Sequence, residues 1–371
     1  MLNMRSRITV RFVLFVIAAA ALLVMVQSLS AAPPDEGLFV ETTKRGVSSR
    51  APDPTIIRSR YVDLRLNLFD SSIAPAQSKV AQTAAKTITL NLFPDVTLVA
   101  TLDKAQDRPG GLIWLGRVQN QPNSRVIFSL LNGVLSGNIT TGTTFYQVRY
   151  AGNNVHQINQ INPRAFPADK KPLAVNKSKL QMTQAPQSTD PASPIEVLVV
   201  YTPAALNAAG GVNGIDTLID LAVLESNTSF DNSRVATQLL LLYKGMTNYV
   251  ESGDFDTDLA RLQNPSDGFM DDVPALRDRY GADVVTLITE GSQYCGVAFD
   301  IMNPVSPMFA PFAYNVVARM CAAGNYTYAH ELGHLMSARH DWATDPTDNA
   351  PFTYNHGLRA ALPKMAHGDG V

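Results

Sequence analysis

The chain has 371 residues, of which 46% are hydrophobic and 17% are charged, and its formal net charge is −2. A chain of this length usually forms about two domains, and this composition supplies enough apolar side chains for buried cores, which excludes a disordered protein. The near-neutral charge, without any run rich in Lys and Arg, gives no basic surface for nucleic acid, so we expect no nucleic-acid partner.

The N-terminus has the pattern of a secretory signal peptide. Arginines up to Arg11 precede an apolar run from Phe12 to Val26, and small residues follow before Pro33. The run is shorter than the about 20 residues that span a bilayer, so we predict that residues 1–32 are a removable signal. A retained membrane anchor is the alternative. The signal predicts a secreted or periplasmic protein without a stable anchor after cleavage.

Residues 33–60 are rich in Pro, Ser and charge without periodicity, which predicts a flexible leader. Residues 61–166 instead alternate apolar and polar side chains with a period of two, as in half-buried strands separated by Gly and Asn turns. We predict an all-β domain here, which contains one histidine, His156, and no cysteine. The apolar series are Leu64, Leu66 and Leu68, then residues 88–92, 96–102, 112–118, 126–131, 134–139 and 145–150.

Residues 167–194 combine Pro, Gln, Lys, Ser and Thr with few apolar side chains, which predicts an exposed linker with a candidate processing site at Lys170-Lys171. In residues 195–371, apolar strands alternate with helical patterns, which predicts a mostly parallel sheet covered by helices. The predicted strands are 195–202, 235–242, 282–289 and 312–320, and the predicted helices are 215–229, 255–262 and 273–280. The expected class is α+β or α/β, after an all-β N-terminal domain.

Residues 329–341 carry three histidines and one glutamate at metal-site spacing. His330 and His334 are four residues apart, so a helix places both on one face, and Glu331 lies beside that face in the position of a general base. His340 can be a third ligand only if the helix ends before it. Three imidazoles leave the fourth tetrahedral position of zinc open to water, which predicts a catalytic zinc site.

These residues match the pattern HExxHxxGxxH followed by Asp341, and with residues 324–329 in front they resemble the metzincin zinc peptidases of the reprolysin-like, adamalysin (M12) type. The resemblance implies a zinc endopeptidase that cleaves proteins or peptides. It also implies that Asp341 fixes the turn around His340 by hydrogen bonds, and that residues 291–298 lead into an edge strand that holds substrate. Ser337 replaces the Gly of the pattern, at a cost on the order of 1 kcal/mol for a left-handed turn.

The chain has two cysteines, Cys295 and Cys321, and export predicts that they form a disulfide. Two thiolates on the metal are the weaker alternative, because the histidines already supply a protein ligand set. For the same reason we interpret His356 as structural.

The resemblance also implies a role for the N-terminal domain, because β-rich segments in bacterial members of this family resemble propeptides. A permanent binding module is the alternative. Without a cysteine in this domain, any latency must come from a carboxylate, a backbone group or steric cover. For the whole chain, the alternative to an enzyme is an inactive homologue that acts as a binding module.

The end of the chain departs from the family, which has a Met-containing turn beneath the zinc. Met365 is the sole methionine after His340, and its neighbours do not resemble that turn. Shifting the reading frame by one base at the Met365 codon allows Trp-Arg-Thr-Val-Met-Ala-Tyr, which resembles the family turn. We therefore hypothesise that residues from about Met365 are out of frame, that the domain is truncated and that the intact protein continues further.

Overall fold

The computed structural model describes two adjoining sheets and the helices around the second. The described residues are 37–47, 53–69, 87–142, 144–175, 193–300, 307–346 and 354–357. The predicted signal peptide and the region around Met365 lie outside these ranges. Within them, no helix has both the length and the apolar character needed to cross a membrane.

The N-terminal sheet has nine antiparallel strands in the spatial order β1-β2-β9-β8-β7-β6-β5-β4-β3. Short connections join β3 to β9 in succession. Between β6 and β7, Asn132 and Gly133 both have positive φ, which suits a two-residue hairpin. The strands are Phe39–Glu41 (β1), Ile56–Leu64 (β2), Thr87–Phe93 (β3), Val96–Arg108 (β4), Gly111–Val118 (β5), Arg125–Leu131 (β6), Val134–Thr141 (β7), Thr144–Tyr150 (β8) and His156–Ile161 (β9).

The two edge strands of this sheet meet, so the sheet curls around its own core. The backbone N–H of Leu38 donates to Thr89 O, and the Asn91 side chain pairs with the backbone of Phe39 in both directions, at 2.9 and 2.6 Å. Trp114 and Phe128 are fully buried inside. Closing the edges leaves fewer unpaired backbone groups that could recruit another chain.

The flexible leader predicted at residues 33–60 is wrong where the structure describes it, because β1 and the start of β2 lie there. The buried side chains of Leu38 and Phe39 anchor this segment in the core. The positively charged Arg58 of β2 lies at the sheet surface, where it pairs with Asp95 at 2.7 Å. The predicted strand at Leu64–Leu68 is also displaced. Strand β2 ends at Leu64, and the next two leucines of that series pack on the core from a turn.

The second sheet has five strands in the order β11-β10-β12-β14-β13. All neighbours are parallel except the edge strand β13, which is antiparallel to β14, so the predicted mostly parallel sheet is present. The elements are Ile195–Tyr201 (β10), Pro203–Ala208 (α1), Val212–Ser233 (α2), Leu239–Met246 (β11), Phe255–Gln263 (α3), Asp272–Tyr280 (α4), Val284–Thr289 (β12), Gly296–Ala298 (β13), Tyr314–Ala318 (β14), Arg319–Ala322 (α5) and Thr327–Leu335 (α6).

Helices cover both faces of this sheet. Alternate residues of β10 enter different cores: Val197 and Val199 pack with α2 and α6, whereas Leu198 and Val200 pack with α3 and α4. The predicted strand 235–242 begins four residues late, because α2 continues to Ser233 and ends at a residue of positive φ, Arg234. Helix α6 packs against β13 and β14, so it lies beside the edge strand of this sheet.

The two sheets are joined through α2, which packs against β6 and β7 of the N-terminal sheet. Arg108 donates to Asp220 of α2 at 2.6 Å, and both side chains are largely buried. Asn138 donates to the buried Glu225 of α2 at 2.5 Å. The N-terminal sheet therefore makes specific polar contacts with the domain that follows it.

Candidate metal site

Helix α6 positions the first two histidines, and the turn after it returns the third. The helix ends at Leu335, and Ser337 adopts a φ of +83°. The backbone N–H of Ala338 then donates to Gly333 O at 2.8 Å, which reverses the chain. The helix thus ends between His334 and His340, as the spacing requires, and the left-handed residue is the one at the Gly position of the motif.

The three histidines converge through one ring nitrogen each. The Nε2 atom of His340 lies 3.0 Å from that of His330 and 3.2 Å from that of His334. Tetrahedral zinc with Zn–N bonds of about 2.0–2.1 Å holds its nitrogens about 3.3 Å apart, so this arrangement fits one ion. Unprotonated nitrogens this close repel each other unless a cation lies between them, and the donor set therefore suits a metal.

Electrostatics keep the ring nitrogens available. Burial lowers the pKa of His330 to about 4 and that of His334 to about 3, so both rings are neutral at pH 7. The Nδ1 atom of His334 donates to Ala338 O at 2.8 Å. Because a carbonyl oxygen only accepts, this bond fixes the tautomer in which Nε2 carries the free lone pair.

Glu331 is fully buried between α6 and β13, beside the histidines. Neither of its carboxylate oxygens has a hydrogen-bond partner among the described residues. Burial raises the pKa of Glu331 well above its usual range, and the nearby Asp169 raises it further. Gly296 provides the space, since a Cβ atom there would lie 2.5 Å from Glu331 Oε1.

Asp341 and His356 lie close to the three histidines in the sequence, and both contact the turn around His340. The Asp341 carboxylate accepts from the Ala343 N–H at 3.0 Å and from the Thr344 hydroxyl at 2.9 Å, inside the turn after His340. His356 is not part of the histidine cluster among the described residues. Its Nδ1 atom donates to the backbone oxygen of His340 at 2.8 Å, and its ring stacks on Trp342.

Cys295 and Cys321 form the predicted disulfide, with Cα atoms 5.4 Å apart. Cys295 directly precedes β13 and Cys321 lies in α5, one short turn before α6. The bridge therefore ties the edge strand to the polypeptide that leads into the histidine helix. Neither sulfur is available as a metal ligand.

The sequence missed one carboxylate at the site, Asp169. Residues 167–194 were predicted as an exposed linker, but residues 168–173 lie along β13, and Asp169 Oδ2 is 3.9 Å from His330 Nε2. One ligand atom each of Asp169, His330 and Glu331 lies within 4.8 Å of the others. No local pattern marks Asp169, because its position results from backbone pairing with a distant strand.

Residues 192–359 match the family model Reprolysin_5, described as metallo-peptidase family M12. The peptidyl-Asp metalloendopeptidase of Stenotrophomonas maltophilia (strain R551-3) is 38% identical over 285 residues, covering 70% of this chain and 65% of that protein. The protein of the same name from Xanthomonas campestris pv. campestris is 36% identical over 284 residues, covering 71% and 66%. The chain thus spans less than two thirds of the length of these relatives.

Among solved structures, metalloproteinase-II from Bacteroides fragilis aligns over 76% of this chain and 90% of its own, with 15% identity and a TM-score of 0.42. The matched sequence region contains the whole histidine cluster and Glu331. Residues 192–359 therefore form a reprolysin-like domain of the metallo-peptidase family M12.

Proposed function

We propose that this chain is a zinc-dependent endopeptidase in which His330, His334 and His340 hold one zinc ion. The observation that carries the proposal is the convergence of three imidazole Nε2 atoms beside a buried carboxylate that has no hydrogen-bond partner among the described residues. A bound zinc ion supplies Lewis acidity here, polarising a substrate carbonyl and making water more acidic. Cys295 and Cys321 are excluded as ligands by their disulfide.

Glu331 is the general base of the proposed reaction. Its carboxylate takes a proton from the attacking water and delivers it to the departing amine, so that one side chain serves both steps. Burial raises the pKa of Glu331, which makes its carboxylate a stronger base toward the proton of the attacking water. Asp341 holds the turn after His340 and thereby the direction of that ring.

We infer the substrate class from the relatives. Their printed name, peptidyl-Asp metalloendopeptidase, describes internal cleavage of peptides at aspartate. We propose the same preference for this chain. Secretion is part of the proposal, with residues 1–32 as the signal peptide, and a disulfide suits an oxidising compartment. The N-terminal sheet is proposed to be a propeptide, supported by its polar contacts with α2.

The test compares wild type with Glu331→Gln, each after proteolytic removal of the N-terminal sheet, on two peptides that differ only by Asp or Asn at one position. The variant keeps the size of the side chain and loses the base, so we expect cleavage of the Asp peptide to fall by roughly 10²–10⁴-fold. Bound zinc, measured by mass spectrometry, should stay at one per chain. The exposed Glu41→Gln serves as the matched control.

Equal peptide cleavage by wild type and Glu331→Gln would show that Glu331 is not the base. If wild type binds zinc but shows no cleavage even after its N-terminal sheet is removed by proteolysis, the inactive binding module is supported instead.

A further inference from the structure

A carboxylate and an aromatic ring lie together beside the edge strand β13. Asp256 is the second residue of α3, and Tyr294 comes two residues before β13. The Tyr294 ring packs edge-on against Phe255 of α3, with the ring centres 6.3 Å apart. The two side chains thus flank the start of the strand at which an extended peptide can bind by strand addition.

A cationic side chain of the chain itself occupies the space between them. The Lys170 ammonium lies 2.5 Å from Asp256 Oδ2 and 5.3 Å from the centre of the Tyr294 ring. The backbone of the same residue is bonded to the edge strand, because Lys170 N–H donates to Gly296 O at 3.1 Å. A residue that pairs with Gly296 from this edge can therefore place its side chain against both groups.

The Asp256 carboxylate is free for such a partner because another residue caps its helix. The side chain of Asp254 accepts from the Thr257 N–H at 3.0 Å and from the Thr257 hydroxyl at 2.7 Å. Asp256 Oδ1 has no hydrogen-bond partner among the described residues, and Oδ2 faces Lys170. The carboxylate can thus accept more than one donor, which an ammonium or a guanidinium supplies.

The position of this pair relative to the metal site follows from the neighbour of Lys170. The carboxylate of Asp169 faces the histidines, with Oδ2 3.9 Å from His330 Nε2. Successive side chains of an extended strand point to opposite faces. A peptide on this edge that presents one residue to the metal therefore presents an adjacent residue to Asp256 and Tyr294.

We propose that Asp256 and Tyr294 form a substrate subsite that takes the basic side chain of a Lys or Arg residue adjacent to the aspartate of the substrate. This subsite rests on the proposed peptidase function and deepens it, because it adds a second recognised side chain to the substrate. The carboxylate pairs with the cation and the ring face attracts it, and both interactions favour a basic side chain over a neutral one.

The experiment measures kcat and KM on peptides that carry Lys, Gln or Glu directly before or directly after the same aspartate. The full chain is folded and purified with zinc, and its N-terminal sheet with residues 168–173 is then removed by proteolysis. Asp256→Asn removes the charge of the subsite, and Asp256→Lys reverses it. Asp272→Asn is the matched control, because it removes an exposed carboxylate from the first turn of another helix, α4.

In wild type and Asp272→Asn, we expect Lys at one of these positions to raise kcat/KM about three- to tenfold over Gln, as suits a partly exposed ion pair. The gain should lie in KM, since the subsite binds the ground state and the transition state alike. Asp256→Asn should cleave the Lys and Gln peptides equally, and Asp256→Lys should prefer the Glu peptide. Equal cleavage of the Gln peptide by every variant shows that each is folded.

If wild type cleaves the Lys and Gln peptides equally at both positions, the subsite is wrong and the proposed function stands. A preference for Lys that persists in Asp256→Asn would also overturn the subsite, because another group would then supply the charge. If wild type binds zinc but cleaves none of the peptides, the proposed function fails and the subsite with it.

Discussion

Ser337 carries the turn that allows a third histidine to reach the metal site. Its φ of +83° lies in the left-handed region, where a side chain costs about 1–2 kcal/mol, and the residue is buried. The bonds of the turn, among them Ala338 N–H to Gly333 O, compensate for that cost. The position is therefore strained and should respond to glycine.

Replacing Ser337 by Gly should raise the free energy of unfolding by about 0.5–1 kcal/mol. Glycine removes the Cβ penalty, while its greater freedom in the unfolded chain offsets part of the gain. Chemical denaturation measures the difference. Ser337→Ala is the matched control, because it keeps the Cβ atom and loses the hydroxyl, and it should show no gain. Equal stabilisation by both variants would mean that the hydroxyl, not φ, is the source of strain.

At the scale of single residues, the sequence predicts those features of the site that depend on the spacing of neighbouring residues. The intervals between His330, His334 and His340, together with the non-glycine at position 337, were sufficient to predict the convergence and the strain. Asp169 and Gly296 were missed, because each acts through a contact across the edge of the sheet: one by strand pairing, the other by leaving room for Glu331. Such contacts leave no periodic signal in either segment.

Helix α2 is the element that joins the two sheets, and Glu225 is its most constrained residue. The carboxylate is 2% exposed and accepts from Asn138 Nδ2 at 2.5 Å and from Gly324 N–H at 2.6 Å. The half-buried Arg149 guanidinium is close enough to interact with its charge and donates to Asn138 Oδ1 at 2.8 Å. Gly324 lies just before α6, so this network links the N-terminal sheet to the base of the histidine helix.

Glu225→Ala should lower the free energy of unfolding by about 3–5 kcal/mol, because it leaves the Asn138 amide and the Gly324 N–H without their acceptor and removes the charge that faces Arg149. Glu225→Gln keeps one acceptor oxygen and should cost less. The measurement is the first transition in chemical denaturation of each purified variant. A loss below about 1 kcal/mol for Glu225→Ala would show that the two sheets do not meet through this side chain.

Element types were more predictable than element limits. The alternation of strand and helix patterns indicated the second sheet, but an apolar run such as 235–242 fits several registers, and the end of α2 at Arg234 decided which residues became β11. Strand β1 was missed because three residues are too few to show a period, and its place depends on Asn91 of the opposite edge.

At the scale of the whole molecule, the N-terminal sheet contains a buried histidine that makes its stability depend on pH. His156 is 4% exposed, and its Nε2 atom accepts from Leu135 N–H at 3.0 Å, which requires the neutral ring. Burial lowers the pKa of His156 from 6.5 to about 4, against a smaller opposite effect of Asp63. The unfolded chain thus takes up a proton at a pH where the folded chain does not.

The sheet should therefore lose up to about 3 kcal/mol of stability as pH falls from 6.5 to 4, and the loss should level off below the folded pKa. His156→Gln can still accept from Leu135 and does not titrate, so its stability should vary less over this range. Thermal unfolding of both proteins from pH 7 to pH 4 gives the comparison. Parallel curves for the two proteins would refute a titrating role for His156.

The interface between α2 and the N-terminal sheet would hold the two parts of the protein together after a cut between residues 175 and 193. The ion pair of Arg108 with Asp220 and the buried network of Glu225 do not depend on that tether. After cleavage, the two pieces would remain partners whose dissociation is set by concentration, since a tether only supplies a high local concentration. If the N-terminal sheet is the proposed propeptide, the cut protein would be least active at high protein concentration and would gain activity on dilution.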